Sequence, residues 1–320
     1  MSAQEMSFDS SGCSLAGTYA EAANPIAAAL LITGSGKTDR DSDVHMPLHQ
    51  MLRGGITRQV SDALAAARVS TLRYDKRGVG ASGGDYLRAG MAQRLADARA
   101  ALGWLAGTAG GLPLLAIGHS EGTYYAAQLA ADGNVAGAVL LSGSARTGAE
   151  VLSWQTQKMA ERLPRSARLI LRLMRTDAIR AQRKNMDRIL ASSDDVTRIQ
   201  GSRVNARWVR DFAAYDPSPV LARITVPVLA ITGGEDVQVP PEDVDAIGQL
   251  VQGPFEGHVP ADLSHMLRPD PASIGPRGYR RATRQPVSPV VLDLITGWVT
   301  SHWSGQARPG GARTASGSGT

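Results

Sequence analysis

Short β-rich runs, most of them apolar and rich in Val, Ile, Leu and Ala, recur along the chain at residues 27–32, 69–73, 112–117, 135–141, 226–231 and 255–259. A strand buried on both faces reads as an unbroken apolar run, whereas a strand with one wet face alternates. The six runs therefore predict a mostly parallel central sheet. Longer stretches between them carry apolar residues every three or four positions and predict helices over 57–67, 91–106, 122–131, 241–250 and 289–301. Strand and helix in alternation are the mark of βαβ units, so the expected class is α/β, a parallel sheet flanked by helices.

Residues 144–216 break this rhythm, and their pattern predicts helices only. The expected organisation is a core of residues 1–143 and 217–303, interrupted between two strands by a helical cap insertion over 144–216. The tail, 304–320, consists mostly of Gly, Ser, Ala, Arg and Thr. It has little to bury and is expected to be disordered. There is no internal repeat.

Charge changes the picture in one place. The net charge is +5 over 320 residues, but the segment from Arg146 to Asp211 holds 15 Lys or Arg against 7 Asp or Glu. Leu169, Ile170, Leu173, Met174, Ile179, Ile189 and Leu190 recur at helical spacing among those arginines. That arrangement predicts a cap laying its apolar side on the core and its charges in water, not a stripe for nucleic acid or lipid. The N-terminal 24 residues are polar, with Glu5 and Asp9, and no apolar run approaches the ~20 residues of a membrane span. A cytoplasmic location is expected. The single cysteine, Cys13, has no partner and is read as inert.

The densest chemistry lies in Leu114-Leu115-Ala116-Ile117-Gly118-His119-Ser120-Glu121-Gly122, an apolar strand entering Gly-x-Ser-x-Gly and then a helix. Glycines two residues either side of Ser120 relieve the crowding of a sharp strand-to-helix turn, which lifts the hydroxyl above the sheet as a nucleophile. A serine hydroxyl needs a base, and the base needs a carboxylate to fix its tautomer. With a nucleophile elbow these partners follow in the order acid, then histidine. Asp236, after the strand at 226–231 and the turn Gly233-Gly234, is the favoured acid, with Glu235 and Asp243 competing. His265, in a loop after the last strand, is the favoured base, with His258 competing. The oxyanion needs two amide donors. Glu121 supplies one by following Ser120, and the loop Thr33-Gly34-Ser35-Gly36 supplies the other, from Ser35 or else Gly36.

Four blocks in this order, Thr33-Gly34-Ser35-Gly36 with Asp39-Arg40-Asp41, Tyr74-Asp75-Lys76-Arg77-Gly78-Val79-Gly80-Ala81-Ser82, the Ser120 elbow, and the Asp236 and His265 loops, resemble bacterial α/β-hydrolases of the serine aminopeptidase-like and acyl-ester hydrolase branch. The resemblance implies the α/β-hydrolase fold, a Ser120–His265–Asp236 triad working through an acyl-enzyme, and a structural role for the charges of the Asp75–Gly78 turn. Many relatives have His where this chain has Thr33 and Pro where it has Lys37. Gly34-Ser35-Gly36-Lys37-Thr38 also imitates the end of a phosphate-binding loop. That motif requires a glycine where Leu31 stands and a helix beginning at Lys37, so nucleotide binding is not expected.

The expected function is hydrolysis of an ester, thioester or amide, most simply as a carboxylesterase, with a small-molecule acyl substrate, no metal and no organic cofactor. Gly34, Gly36, His119 and the aromatics Trp154, Trp208, Phe212 and Tyr215 are expected around the substrate; His45 and His49 are lesser candidates for contact. An aminopeptidase would need a carboxylate for the substrate's amine, from Glu121 or Glu150. A non-catalytic binding protein on the same fold is the alternative of another class. No nucleic-acid partner and no membrane span are expected, and a homodimer stays open.

Overall fold

A computed structural model describes residues 2–45, 51–161, 178–199, 201–269 and 281–305. The chain opens with two strands that the apolar pattern does not reveal, β1 (Ser2–Ser10) and β2 (Cys13–Glu21). They pair antiparallel across a two-residue turn, Ser11-Gly12, where φ is 54° and 76°. Both central residues of such a hairpin turn need positive φ. β1 is an edge strand with its first residues exposed, so its side chains need not alternate strictly and the sequence signal is weak.

Then come β3 (Ala27–Ile32), the short antiparallel pair β4 (Val44–His45) and β5 (Met51–Leu52), α1 (Ile56–Ala66), β6 (Val69–Tyr74), α2 (Met91–Thr108), β7 (Leu114–His119), α3 (Glu121–Ala131) and β8 (Gly137–Leu141). After the residues between β8 and Val228 follow β11 (Val228–Ile231), α8 (Asp243–Leu250), β12 (Phe255–His258) and α9 (Pro289–Trp303). The eight-stranded sheet has the order β1-β2-β6-β3-β7-β8-β11-β12. β6 through β12 run parallel, and β2 joins β6 antiparallel. This is the α/β-hydrolase fold, with the six expected strands forming its parallel part.

The unbroken apolar runs have a direct cause. Along β3, Ala28, Leu30 and Ile32 pack into one hydrophobic cluster with α2, α3 and α8, while Ala27, Ala29 and Leu31 pack into a second with α1 and α9. Both faces of β3 are dry and its six residues are apolar, whereas the neighbouring β6 buries Ser70 and Thr71 with hydrogen-bond partners.

Residues 144–216 depart from expectation. They contain α4 (Gly148–Glu161), α5 (Ala178–Leu190) and α6 (Ala206–Ala214), with α7 (Ser218–Leu221) just beyond. Ahead of α6 they also form an antiparallel hairpin, β9 (Val196–Ile199) with β10 (Ser202–Asn205). The segment is therefore not helical throughout. Val196, Ile199 and Val204 are separated by Thr and Arg, a spacing that a strand of four residues is too short to mark. Of the apolar series expected on the cap, Ile189 is buried and Leu190 exposed. Leu169, Ile170, Leu173 and Met174, like His49 and most of the tail from Ser304, lie outside the described residues.

Candidate active site

Parallel strands all end on the same side, and the side chains just past their carboxyl ends meet there. Ser120 follows β7 and caps α3 with φ 53° and ψ −119°, a conformation that non-glycine residues rarely adopt. The neighbouring strand holds it, since the Ser120 N–H donates to the Leu141 carbonyl at 2.8 Å. The flanking glycines are required by space. A Cβ at Gly118 would lie 2.2 Å from the Gly122 carbonyl oxygen, and one at Gly122 would lie 2.2 Å from that of Ile32.

Asp236 and His265 arrive on two loops stitched together by their backbones. The Gly234 N–H donates to Pro260 O (2.8 Å) and the Glu235 N–H to Leu263 O (2.9 Å). A Cβ on Gly233 would stand 2.1 Å from the Leu263 oxygen, which is why a glycine occupies the approach. The Asp236 Oδ2 is 2.8 Å from the His265 Nδ1, and both side chains are buried. The other carboxylate oxygen accepts the N–H groups of Gln238 (2.7 Å) and Val239 (3.0 Å). With Nδ1 occupied, Nε2 is the ring nitrogen left for proton transfer. His119 fixes the base from the opposite side by donating from Nε2 to the His265 carbonyl (3.0 Å). Burial, then the nearby His265, pushes the His119 pKa down to about 3, so it stays neutral. No hydrogen bond joins the Ser120 hydroxyl to His265 among the described residues. In unliganded sites such bonds are commonly long and tighten on substrate binding.

The loop after β3 lies against the nucleophile: a Cβ on Gly34 would come within 3.2 Å of the Ser120 Cβ. Lys76, directly after β6, holds that loop by donating from Nζ to the Gly34 and Gly36 carbonyls, the latter at 2.7 Å. Burial pushes its pKa down to about 7. The rest of the turn is also engaged, Asp75 with Arg40 at 2.8 Å and Arg77 with Asp97 at 2.5 Å. No helix starts at Lys37, so the loop lacks the amide cradle of a phosphate site.

Glu121 carries a buried carboxylate one residue from the nucleophile. Arg94 donates to both its oxygens (2.8 and 2.9 Å), and Tyr125 (2.5 Å) and Trp208 Nε1 (2.7 Å) donate to one of them. Burial would raise its pKa, but Arg94, then Lys76 and the neutral donors, hold it below the usual carboxylate range. A bare negative charge here would oppose an oxyanion forming beside it; the guanidinium cancels it.

A cavity of about 70 Å³ opens beside Ser120. Ser35 and Glu121 line it together with Ser120, and α6 supplies Trp208 and Phe212. Trp208 and Phe212 stack with ring centroids 5.1 Å apart. Tyr124 of α3, Val151, Leu152 and Gln155 of α4, and Ser142, Gln238 and Val239 complete the wall; the sequence reading singles out none of these seven. A positional signal was available for three of them, because Ser142 directly follows β8 and Gln238-Val239 follow Asp236. Gly34, Gly36, His119, Trp154 and Tyr215 are not among the lining residues. Tyr215 packs edge-on against Tyr124 (5.2 Å), and Trp154 lies under Lys158 (4.7 Å) and Arg146 (5.7 Å).

The competing groups are engaged elsewhere. Asp243 binds Ser144 and Arg146; His258 pairs with Glu256 at 2.7 Å; Glu150 accepts from Thr147 at the start of α4. Among the described residues, no three His, Cys, Asp or Glu are grouped to hold a metal ion, and no helix is long and apolar enough to cross a membrane.

The chain is similar in structure to Est1E from Butyrivibrio proteoclasticus with ferulic acid bound (16% identity, 93% of this chain and 97% of that one, TM-score 0.57). It is similar also to the α/β hydrolase GrgF from Penicillium sp. sh18 (16%, 95% and 100%, 0.60) and to the esterase domain of a Rhodothermus marinus protein (15%, 94% and 99%, 0.55). At such identities the likeness speaks for the fold alone. Comparison with curated protein sequences gives no match. The model of one family, serine aminopeptidase S33, matches residues 53–271, more than half of the chain and the stretch holding Ser120, Asp236 and His265, and the protein thus belongs to the serine aminopeptidase S33 family of α/β-hydrolases.

Proposed function

We propose that this hydrolase is a serine carboxylesterase acting on esters of short acyl groups. The observation that carries the reading is the buried Asp236–His265 bond at 2.8 Å, with the histidine's own carbonyl anchored to the residue preceding a strained Ser120. Ser120 Oγ attacks the ester carbonyl carbon while His265 Nε2 takes its proton, and Asp236 supports the imidazolium. The N–H groups of Ser35 and Glu121 receive the oxyanion. His265 then gives the proton to the departing alcohol. Water attacks the acyl-enzyme with His265 as base again, releasing the carboxylic acid and restoring the serine. Within the expected cap, α4 and α6 cover the acyl site, since they supply much of its apolar wall.

Size supports a short acyl group. An apolar cavity of about 150 Å³ accepts benzene, so one of 70 Å³ takes roughly three or four heavy atoms beyond the carbonyl. An aminopeptidase is disfavoured because the Glu121 carboxylate already accepts from Arg94, Tyr125 and Trp208, and Glu150 is exposed.

The test is labelling by a fluorophosphonate probe, together with rates on p-nitrophenyl esters of graded chain length and on aminoacyl anilides. Ser120→Ala should abolish labelling and lower kcat by roughly 10⁴-fold or more. Esters from acetate to butyrate should be the best substrates. Wild-type turnover in the Ser120→Ala protein, or anilides outrunning every ester, would overturn the proposal.

A further inference from the structure

An apolar acyl chain accounts for the size of the cavity and most of its wall, yet one atom there has no task. Ser142 follows β8 directly, is 1% exposed and lines the cavity. Its Oγ has no hydrogen-bond partner in the protein. Of the residues with a buried side-chain polar atom in that condition among the described residues, only Ser142 lines the cavity.

The hydroxyl is also held in place. The Ser142 N–H donates to Ile231 O at 2.8 Å, extending the ladder between β8 and β11, and its φ is 52°, a left-handed conformation costly for a non-glycine residue. Because the adjacent Leu141 carbonyl receives the Ser120 N–H, Ser142 sits beside the nucleophile at neighbouring strand ends. Two other polar side chains of the wall are occupied: Gln155 donates to Gln238 O (3.1 Å), and Glu121 is enclosed by its three donors. A buried hydroxyl left unpaired is unfavourable, and an apolar residue would have filled the position without that cost.

We infer that Ser142 is a specificity-determining residue, whose hydroxyl pairs with an uncharged oxygen function, a hydroxyl or carbonyl, on the short acyl chain of the substrate. Serine can donate to a carbonyl or accept from a hydroxyl. Neither a carboxylate nor an ammonium on the acyl chain would find a free countercharge in the wall, because Glu121 is already paired with Arg94, and an unpaired charge in so small a cavity is costly. The substrate class is thus a neutral hydroxyacyl or ketoacyl ester of about four carbons. This rests on the esterase reading of Ser120.

The test compares kcat/KM for ethyl 3-hydroxybutyrate, ethyl acetoacetate and ethyl butyrate, by titrating released acid, in the wild type, Ser142→Ala and Ser142→Gly. Glycine removes the hydroxyl while accepting the positive φ, which covers the case in which alanine fails to fold. The wild type should favour at least one oxygenated ester over butyrate by on the order of tenfold, and both variants should bring that ratio near one while still hydrolysing butyrate. A wild type without the preference, or variants that keep it, would overturn the inference and leave the esterase reading intact. Failure to hydrolyse any ester, with no fluorophosphonate labelling of Ser120, would remove the esterase reading and this inference with it.

Discussion

Replacing Asp236 by asparagine probes the site with a single atom, and the structure fixes what that atom does. In the native protein one carboxylate oxygen faces the His265 Nδ1 at 2.8 Å, and the other accepts the N–H groups of Gln238 and Val239 at 2.7 and 3.0 Å. An asparagine must place its carbonyl oxygen on one side and its NH₂ on the other. Turning the NH₂ toward Gln238 and Val239 would leave two buried amide donors unpaired, about 1–3 kcal/mol each. The carbonyl therefore stays with the backbone, and the NH₂ points at His265. Nδ1 must then accept, which moves the imidazole proton to Nε2, where a base needs a lone pair. The expected loss in kcat is on the order of 10⁴-fold, about 5.4 kcal/mol at 1.36 kcal/mol per decade. The assay is steady-state turnover of p-nitrophenyl acetate, with circular dichroism to establish that the fold is kept. Asp243→Asn is the control, because Asp243 binds Ser144 and Arg146 instead, and it should leave kcat within a few-fold. An Asp236→Asn enzyme within tenfold of wild type, or a larger loss from Asp243→Asn, would refute the reasoning.

Other outcomes follow from packing and charge. Arg94→Met strands the buried Glu121 carboxylate and should lower stability by ~3–5 kcal/mol in urea unfolding, with most of the loss recovered by adding Glu121→Gln; a cost below about 1 kcal/mol for Arg94→Met alone would contradict this. Gly122→Ala should yield little folded protein, because its Cβ would sit 2.2 Å from the Ile32 carbonyl, whereas Gly103→Ala in α2 meets nothing within 4 Å and should gain up to about 1 kcal/mol from helix propensity; thermal midpoints read both. Burial brings Lys76 from its usual 10.5 to about 7, so between these values the unfolded chain holds a proton that the folded one has released. Stability should accordingly rise with pH, by ~3 kcal/mol between pH 7 and 9.5. Urea midpoints at pH 7 and 9.5 should show the rise in the wild type and a flatter response in Lys76→Met, and equal slopes would count against it.

What could be read from the sequence is what is decided within a short window. β3, β7, β8 and β11 are legible because burial removes charged residues from four to six consecutive positions, whereas β6 keeps buried Ser70, Thr71 and Arg73 and β12, at the sheet edge, is largely exposed. The elbow is legible because both glycines stand within two residues of Ser120 and Gly118 is demanded by its neighbour Gly122, although the space at Gly122 itself is limited by Ile32 on the adjoining strand. β1 escapes notice because an exposed edge imposes no strict pattern, β2 because its buried positions include Gly17 and Thr18 as well as apolar residues, and β9 and β10 because four residues carry too little periodicity.

Everything that depends on strand order belongs to the tertiary structure. Asp236 could be ranked above Glu235 and Asp243 along the chain, but its bond to His265 exists because the loops after β11 and β12 are stitched by backbone hydrogen bonds. Arg94 and Glu121 are 27 residues apart and meet only where α2 and α3 pack on one face of the sheet. Lys76 reaches the Gly34 and Gly36 carbonyls because β6 lies next to β3. Ser142 stands beside Ser120 because β8 follows β7 in the sheet. Local composition specifies dry strands and a crowded turn, whereas convergence of charges and hydroxyls is set by which strands become neighbours, and that is settled only when the whole sheet assembles.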